Sequence, residues 1–178
     1  MNIILVPTDG SIAAEKALDV ALDLAEKHDA DIKLFHVLLR DKEPEELLTL
    51  PDLAVEQESV AQELSGLVDM PKAPHSAEEL MSGQPAPDHP VSENLLQSIG
   101  AHVLQRASSR AASRGVRAEA LPYSDGAAAA AIVSTAKAEA IDTIVMGTRG
   151  LRQIEAVAFG SVSQEVCRSV DCTCIAVH

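Results

Sequence analysis

Residues 147–161 read GTRGLRQIEAVAFGS, directly after the apolar run IDTIVM. Gly147, Gly150 and Gly160-Ser161 are spaced by two and nine residues, in a chain with nine glycines. Glycine at the carboxyl end of a strand lets the backbone turn sharply and come close to a ligand. Ser161 and Gln164 form an S-x-x-Q pattern, the capping box of a helix N-terminus. Such an end carries free N–H groups and the positive pole of the helix dipole, and so attracts anions. The Ser161 and Ser163 hydroxyls add donors, and Arg149 adds a charge-assisted bond to phosphate. The segment reads as a phosphate cradle with a glycine turn on one side and a helix start on the other. Spacing alone also accommodates a glycine turn followed by an ordinary helix cap. There is no GxxxxGK[ST], and no G-x-G-x-x-G follows the first strand, which removes the P-loop and the dinucleotide fingerprint.

The elements that must position these groups follow from periodicity. Residues 3–6 are a short apolar run ended by Pro7, the pattern of a strand buried on both faces. Asp9-Gly10-Ser11 is a turn with Ser11 as N-cap. Over residues 12–28, Ala14, Ala17, Leu18, Ala21, Leu22 and Ala25 recur every three or four positions with acids between them, an amphipathic helix. Residues 32–38 are the second strand, completing a βαβ unit. Residues 92–114 carry a helical stripe through Leu95, Leu96, Ile99, Val103 and Leu104. Arg106, Arg110 and Arg114 lie on another face, expected to be solvated, and Gly115 follows as the stop. Strands at 116–121, 141–146 and 172–177 alternate with helices at 127–140 and 161–170. The expected fold is α/β: a five-stranded, mostly parallel open sheet with helices on both faces, Rossmann-like. Ligands bind such sheets beyond the carboxyl ends of the strands, at a topological switch point.

One stretch interrupts the alternation. Residues 41–93 contain thirteen Asp or Glu and two Lys, a net of −11 out of a chain total of −13. Residues 45–67 have the composition of a helix, and 70–90, with five of the nine prolines, read as a loop or strap. The expectation is a solvated surface insertion; a mobile lid or a docking segment for a basic partner is the sharper alternative.

At 178 residues the chain has the length of one domain, and with 2% aromatic residues its core must be Ala, Val, Leu and Ile. The acidic balance argues against nucleic acid and anionic membranes as partners. No apolar stretch approaches the length needed to span a bilayer. Three cysteines, Cys167, Cys172 and Cys174, form no disulfide framework and no CxxC pair, so a reduced cytoplasmic setting is expected. Cys172 and Cys174 should share one face of the last strand as small buried hydrophobes. His36 is expected to be a satisfied core residue, and no set of histidines has ligand spacing. No metal ligands are assigned.

G-x2-G-x9-G-[ST] resembles the nucleotide-binding signature of the universal stress protein family, and residues 147–161 match it without a gap. IILVPTDGS at 3–11 resembles the family's opening strand and loop, and LFHV at 34–37 its second strand. Gly126 with Ile132 resembles its third crossover; IVMGTRG and GSVSQEV complete the match. The resemblance spans about residues 1–40 and 92–178, which makes 1–178 a single domain of this family with an acidic, Pro-rich insertion at about 41–91. It implies an adenine nucleotide alpha hydrolase-like fold and a site for ATP with Mg²⁺. By that likeness Asp9 and Val37 hold the adenosine end, Pro7 and Thr8 shape its wall, and Met146 and Gly147 flank the sugar. Arg149, Gly150, Gly160, Ser161, Val162 and Ser163 surround the phosphates. The likeness also implies a homodimer through the C-terminal strand and a stress-response role with a further protein partner. Asp9 is the one candidate general base, so efficient catalysis is not expected. Slow ATP hydrolysis or phosphoryl transfer, and a nucleotide-free interaction role through the insertion, are the alternatives.

Overall fold

The computed structural model describes residues 2–70, 91–151 and 160–178. Five strands form one parallel sheet: β1 (Ile3–Pro7), β2 (Asp31–Phe35), β3 (Ala118–Ala120), β4 (Thr143–Gly147) and β5 (Thr173–Val177). Their order is β3-β2-β1-β4-β5, and every ladder is parallel. The chain winds outward from β1 to β3, then returns and continues on the other side of β1 with β4. Because parallel crossovers share one hand, this reversal sends the later helices to the opposite face of the sheet. Helix α1 (Ile12–His28) packs on the first face with Ile4, Val6, Ile32, Leu34 and Val145 beneath it. Leu5, Ile144 and Met146 point the other way, where Ile132 and Val166 cover them. Both faces of the central strands are buried, which is why these strands read as unbroken apolar runs.

Ser11 caps α1 as expected, its hydroxyl accepting from the Ala14 N–H at 3.3 Å. The expected helix over 45–67 is three helices: α2 (Pro44–Leu47), α3 (Leu53–Glu56) and α4 (Glu58–Val68). Pro51 disfavours helical geometry at Leu50, and Asp52 has a φ of 58°. These three helices are not a solvated surface insertion. Leu47, Leu53 and Leu64 are fully buried, in one cluster with Leu96, Ile99 and Val103 of α5 (Glu93–Ser113). Most of the acids face outward, Glu43 and Glu46 being half-buried in a capping box, while the leucines between them build a second core. The strap expected at 70–90 lies outside the described residues, apart from Met70.

Arg106, Arg110 and Arg114 do lie at the surface, partly exposed, and each is also paired across to α1. They bond to Glu15, Asp19 and Asp23 of α1 at 2.8, 2.7 and 2.7 Å, and Arg114 also reaches Glu26 at 2.7 Å. Steps of four on both helices in the same direction require α1 and α5 to run parallel, as two crossovers on one face must. Arg106 also meets Asp52 at 3.1 Å and donates to the Pro51 carbonyl, tying the insertion to this ladder. The remaining helices are α6 (Ala128–Ala138) and α7 (Ser161–Ser169). No helix among the described residues is long and apolar enough to cross a membrane.

The cysteine expectation is corrected at the end of the sheet. Cys167 of α7 and Cys174 of β5 form a disulfide, and Cys172 is the free thiol. Short joins bring a helix back onto the strand that follows it, so the two Cα atoms lie 5.6 Å apart, inside the normal range for a bridge. Cysteine usage therefore gives no ground for a reduced compartment. Cys172 and Cys174 do share one face, the one that packs on the Leu5 and Ile144 side.

If the insertion is part of the cooperative fold, Leu64→Ala should cost as much as Leu22→Ala in the sheet core, about 2–5 kcal/mol each. Urea denaturation of the two variants checks this. A loss at Leu64 below about 1 kcal/mol would show that the insertion melts on its own.

Candidate functional site

The chain reverses direction between β1 and β4, so the loops leaving their carboxyl ends part to opposite faces and open a crevice. A cavity of about 500 Å³ occupies it, a size typical of small-ligand sites. All twelve residues singled out from sequence line this one cavity. Pro7, Thr8 and Asp9 come from the end of β1, and Val37 from just beyond β2. Met146, Gly147, Arg149 and Gly150 leave β4, and Gly160, Ser161, Val162 and Ser163 open α7. Sequence reasoning missed nine more: Ala14, Phe35, Leu39, Asp41, Lys42, Ala128, Ile132, Thr148 and Leu151. Thr148 sits inside the contiguous glycine motif and was within reach of that reading. Asp41 and Lys42, which pair with each other, stand at the start of the insertion, where no periodicity marks a site.

One wall is apolar: Phe35, Val37, Leu39, Ile132 and Met146. The other is built from backbone and polar groups. The Gly160 N–H donates to the Thr148 carbonyl at 2.5 Å, closing the glycine segment back on β4. The Thr148 N–H in turn donates to the Val177 carbonyl at 2.8 Å. Gly160 is the N-cap of α7, with no side-chain cap bond, so the expected Ser161–Gln164 capping box does not form. The register is shifted by one residue, and the Gly160 carbonyl already accepts from the Gln164 N–H at 3.1 Å. The N–H groups of Ser161, Val162 and Ser163 have no carbonyl one turn back inside the helix. Ser163 adds no donor to the cavity from its hydroxyl, which is buried and directed at the Gly160 carbonyl at 3.0 Å. Arg149 lines the cavity, and its Nε is buried with no hydrogen-bond partner among the described residues.

Of the two reasons their spacing suggested for the glycines, turning and close approach to a ligand, the backbone speaks to the first. None of Gly147, Gly150 and Gly160 has a positive φ, so sharp turning is not their role. A Cβ on Gly147 would lie 2.8 Å from the Ala13 carbonyl carbon and 3.0 Å from the Ala14 nitrogen, in the first turn of α1. On Gly160 it would lie 2.8 Å from the Thr148 carbonyl oxygen, and on Gly150 2.7 Å from Asp9 Oδ2. At Gly147 and Gly160 backbone already fills that space, while at Gly150 it is the movable end of the Asp9 side chain. Asp9 itself is held by its Oδ1, which accepts from the Ser11 N–H at 3.0 Å. Gly10, at φ 79°, would bring a Cβ within 2.8 Å of both Val103 and Leu50. The insertion thus packs directly on the loop that carries Asp9.

His36 supports this loop from below. It is fully buried, and its Nδ1 lies 2.9 Å from the Thr8 carbonyl, which fixes the proton on Nδ1. Its Nε2 has no partner among the described residues, so within them it is half satisfied rather than fully satisfied. Burial lowers its pKa below the usual 6.5, partly offset by the Thr8 carbonyl and the Asp9 charge. A hollow of about 40 Å³ beside Gly10 and His102 has room only for water. No group of three or more His, Cys, Asp or Glu among the described residues could hold a metal ion.

A sequence profile described as "Universal stress protein family" matches residues 1–178. The Bacillus subtilis (strain 168) protein described as universal stress protein YxiE is 29% identical over 177 residues, covering 99% of each chain. Among solved structures, universal stress protein UspA from Lactobacillus plantarum superposes with a TM-score of 0.63 at 22% identity, over 99% of this chain and 97% of that one. The universal stress protein from Archaeoglobus fulgidus, in complex with dAMP, gives a TM-score of 0.58 at 16% identity, over 100% and 98%.

Two outcomes are expected. Gly147→Ala should destabilise the protein by about 1–3 kcal/mol, because backbone rather than a flexible side chain fills the space; thermal unfolding measures it. His36 is neutral when folded and takes up a proton near pH 6.5 when unfolded. Its contribution is full above that pH and lost as pH falls through the lower folded value. His36→Gln should therefore lose less stability than wild type between about pH 7.5 and 5.5, measured by urea midpoints.

Proposed function

Because this chain belongs to the universal stress protein family, we propose that its cleft binds an adenine nucleotide, ATP with Mg²⁺, and that the protein is a regulatory stress-response module. One observation carries the reading. A single cavity at the β1/β4 switch point joins an apolar wall to the N-terminus of α7 and to a buried arginine atom with no partner among the described residues. An apolar wall suits a flat heterocycle, and free N–H groups with a guanidinium suit phosphate. The Archaeoglobus fulgidus relative is described in complex with dAMP, which supports an adenine ring as the heterocycle.

Phe35, Val37 and Ile132 would take the base, with Asp9 at the ribose. Ser161, Val162 and Ser163 N–H groups and Arg149 would take the phosphates. Mg²⁺ would arrive on the phosphates and keep most of its waters, since this ion needs few protein ligands. Asp9 Oδ1 is engaged by the Ser11 N–H and supports the loop rather than a proton transfer. The function is accordingly read as binding, with ordering of the cleft as the signal. β5 is an outer strand whose Cys174–Val177 side chains are half-buried, and it is the edge through which a homodimer would form.

Isothermal titration of nucleotide-stripped protein with ATP and AMP, each with and without Mg²⁺, tests the reading. Saturable binding is expected. Arg149→Ala should weaken ATP by about 10-fold or more and AMP by less, because the guanidinium is assigned to the phosphate tail. No binding at millimolar nucleotide by a folded protein would overturn the proposal. An equal loss for ATP and AMP would remove Arg149 from the phosphate tail.

A further inference from the structure

We propose that the Cys167–Cys174 disulfide is a thiol-exchange site that sets the hold on α7, and through it the nucleotide affinity of the cleft. The second half of this statement rests on the nucleotide reading above. Helix α7 contributes its first turn to the cavity, yet only Ser163 and Val166 of its nine residues are buried. A helix so lightly packed is poorly held by side-chain burial. The bridge joins it to β5, which pairs with β4 at five positions from Thr173 to Val177. Cys167 lies one turn beyond Ser163, so the covalent tie acts one turn from the residues that face the ligand.

The bridge is accessible. Cys167 is exposed and Cys174 half-buried, so a small thiol can reach the Cys167 sulfur. Attack by a thiolate there breaks the S–S bond, forms a mixed disulfide on Cys167, and releases Cys174 as a thiolate. A second thiolate attacks the small-molecule sulfur of the mixed disulfide, giving the small-molecule disulfide and a free Cys167. The protein disulfide gains two electrons, two small thiols lose them, and the two thiol protons pass to the cysteines. Cys172, held partly buried on the same strand face, has its thiol pushed up by desolvation and stays protonated. It is a bystander in this exchange.

The test uses the full chain, equilibrated with oxidised glutathione or with dithiothreitol. Three quantities are read: free thiols in denaturant, hydrogen exchange over residues 161–169, and ATP affinity by titration calorimetry. One free thiol is expected in the oxidised form and three in the reduced form. Exchange over 161–169 should quicken on reduction, and ATP should bind at least about 5-fold more weakly. In exchange and in ATP affinity, a Cys167→Ser and Cys174→Ser double variant, with one free thiol throughout, should match the reduced form under both conditions, while Cys172→Ser, with none oxidised and two reduced, should respond as wild type does. Three free thiols after oxidation, or unchanged exchange over 161–169 on reduction, would overturn the proposal. Altered exchange with equal ATP affinity in the two forms would overturn the coupling. Altered exchange with no nucleotide bound by either form would establish the exchange site and overturn the nucleotide reading instead.

Discussion

The cleft depends on one close approach. The end of β4 lies against the first turn of α1 with no room for a single extra carbon at Gly147. That contact places the β4 loop beside the β1 loop, and the parallel pairing of Ile4 with Thr143 and Leu5 with Ile144 sets its height. From there the chain of contacts is short. Gly150 stands against Asp9, Gly160 against Thr148, and the Thr148 N–H against the last strand. The described ends of the segment, at 147–151 and from Gly160, are therefore set by contacts with the protein itself, before any ligand is considered. Ligand and fold make compatible demands: a wall without side chains packs tightly and also leaves backbone N–H groups open to an anion.

A chain of net charge −13 is an unpromising host for phosphate. The structure resolves this locally. Four acids of α1 face Arg106 and Arg110 of α5 and Arg114 at its C-cap, so most of the negative charge on that helix face is offset in place. These pairs are half-exposed, and their individual worth is small. Their ordered spacing aligns two helices, which a surface count of ion pairs would not convey. Glu45, Glu46, Glu56, Glu58 and Glu63 of the insertion lie on helices whose leucines build a separate core, and Asp41, which does reach the cleft wall, is paired with Lys42. Within the cleft, Arg149 Nε is buried with no hydrogen-bond partner among the described residues, so that donor is open to a ligand.

The insertion changes the meaning of the first loop. Leu50 and Val103 fill the space above Gly10, and Leu39, Asp41 and Lys42 extend the cleft wall beyond β2. A segment that composition marks as an interruption is thus part of the support for Asp9. Its core is made of leucines separated by two breaks, at Pro51 and at Gln57, so no single helical period runs through it. That is why its helical content was legible and its packing was not.

Local pattern determined a great deal here. Apolar runs of four to six residues and a 3.6-residue stripe identify β1, α1, β2, α5 and β4, because burial on both faces or on one leaves an unmistakable residue order. Of the twelve candidate residues, the contiguous glycine motif pointed to Gly147, Arg149, Gly150, Gly160, Ser161 and Ser163, and the family likeness supplied the rest; they converge because parallel strands put all their carboxyl ends on one edge. What the sequence could not express were relations between distant segments. The glycines answer to Ala13, Asp9 and Thr148 rather than to backbone turning. The arginines answer to acids about ninety residues away. Cys167 and Cys174 are neighbours only once α7 folds back on β5. Ser161 lost its cap role to Gly160 by a shift of one residue. Each of these is a distance of a few ångströms between atoms far apart in the chain, and such distances exist only after the sheet has closed.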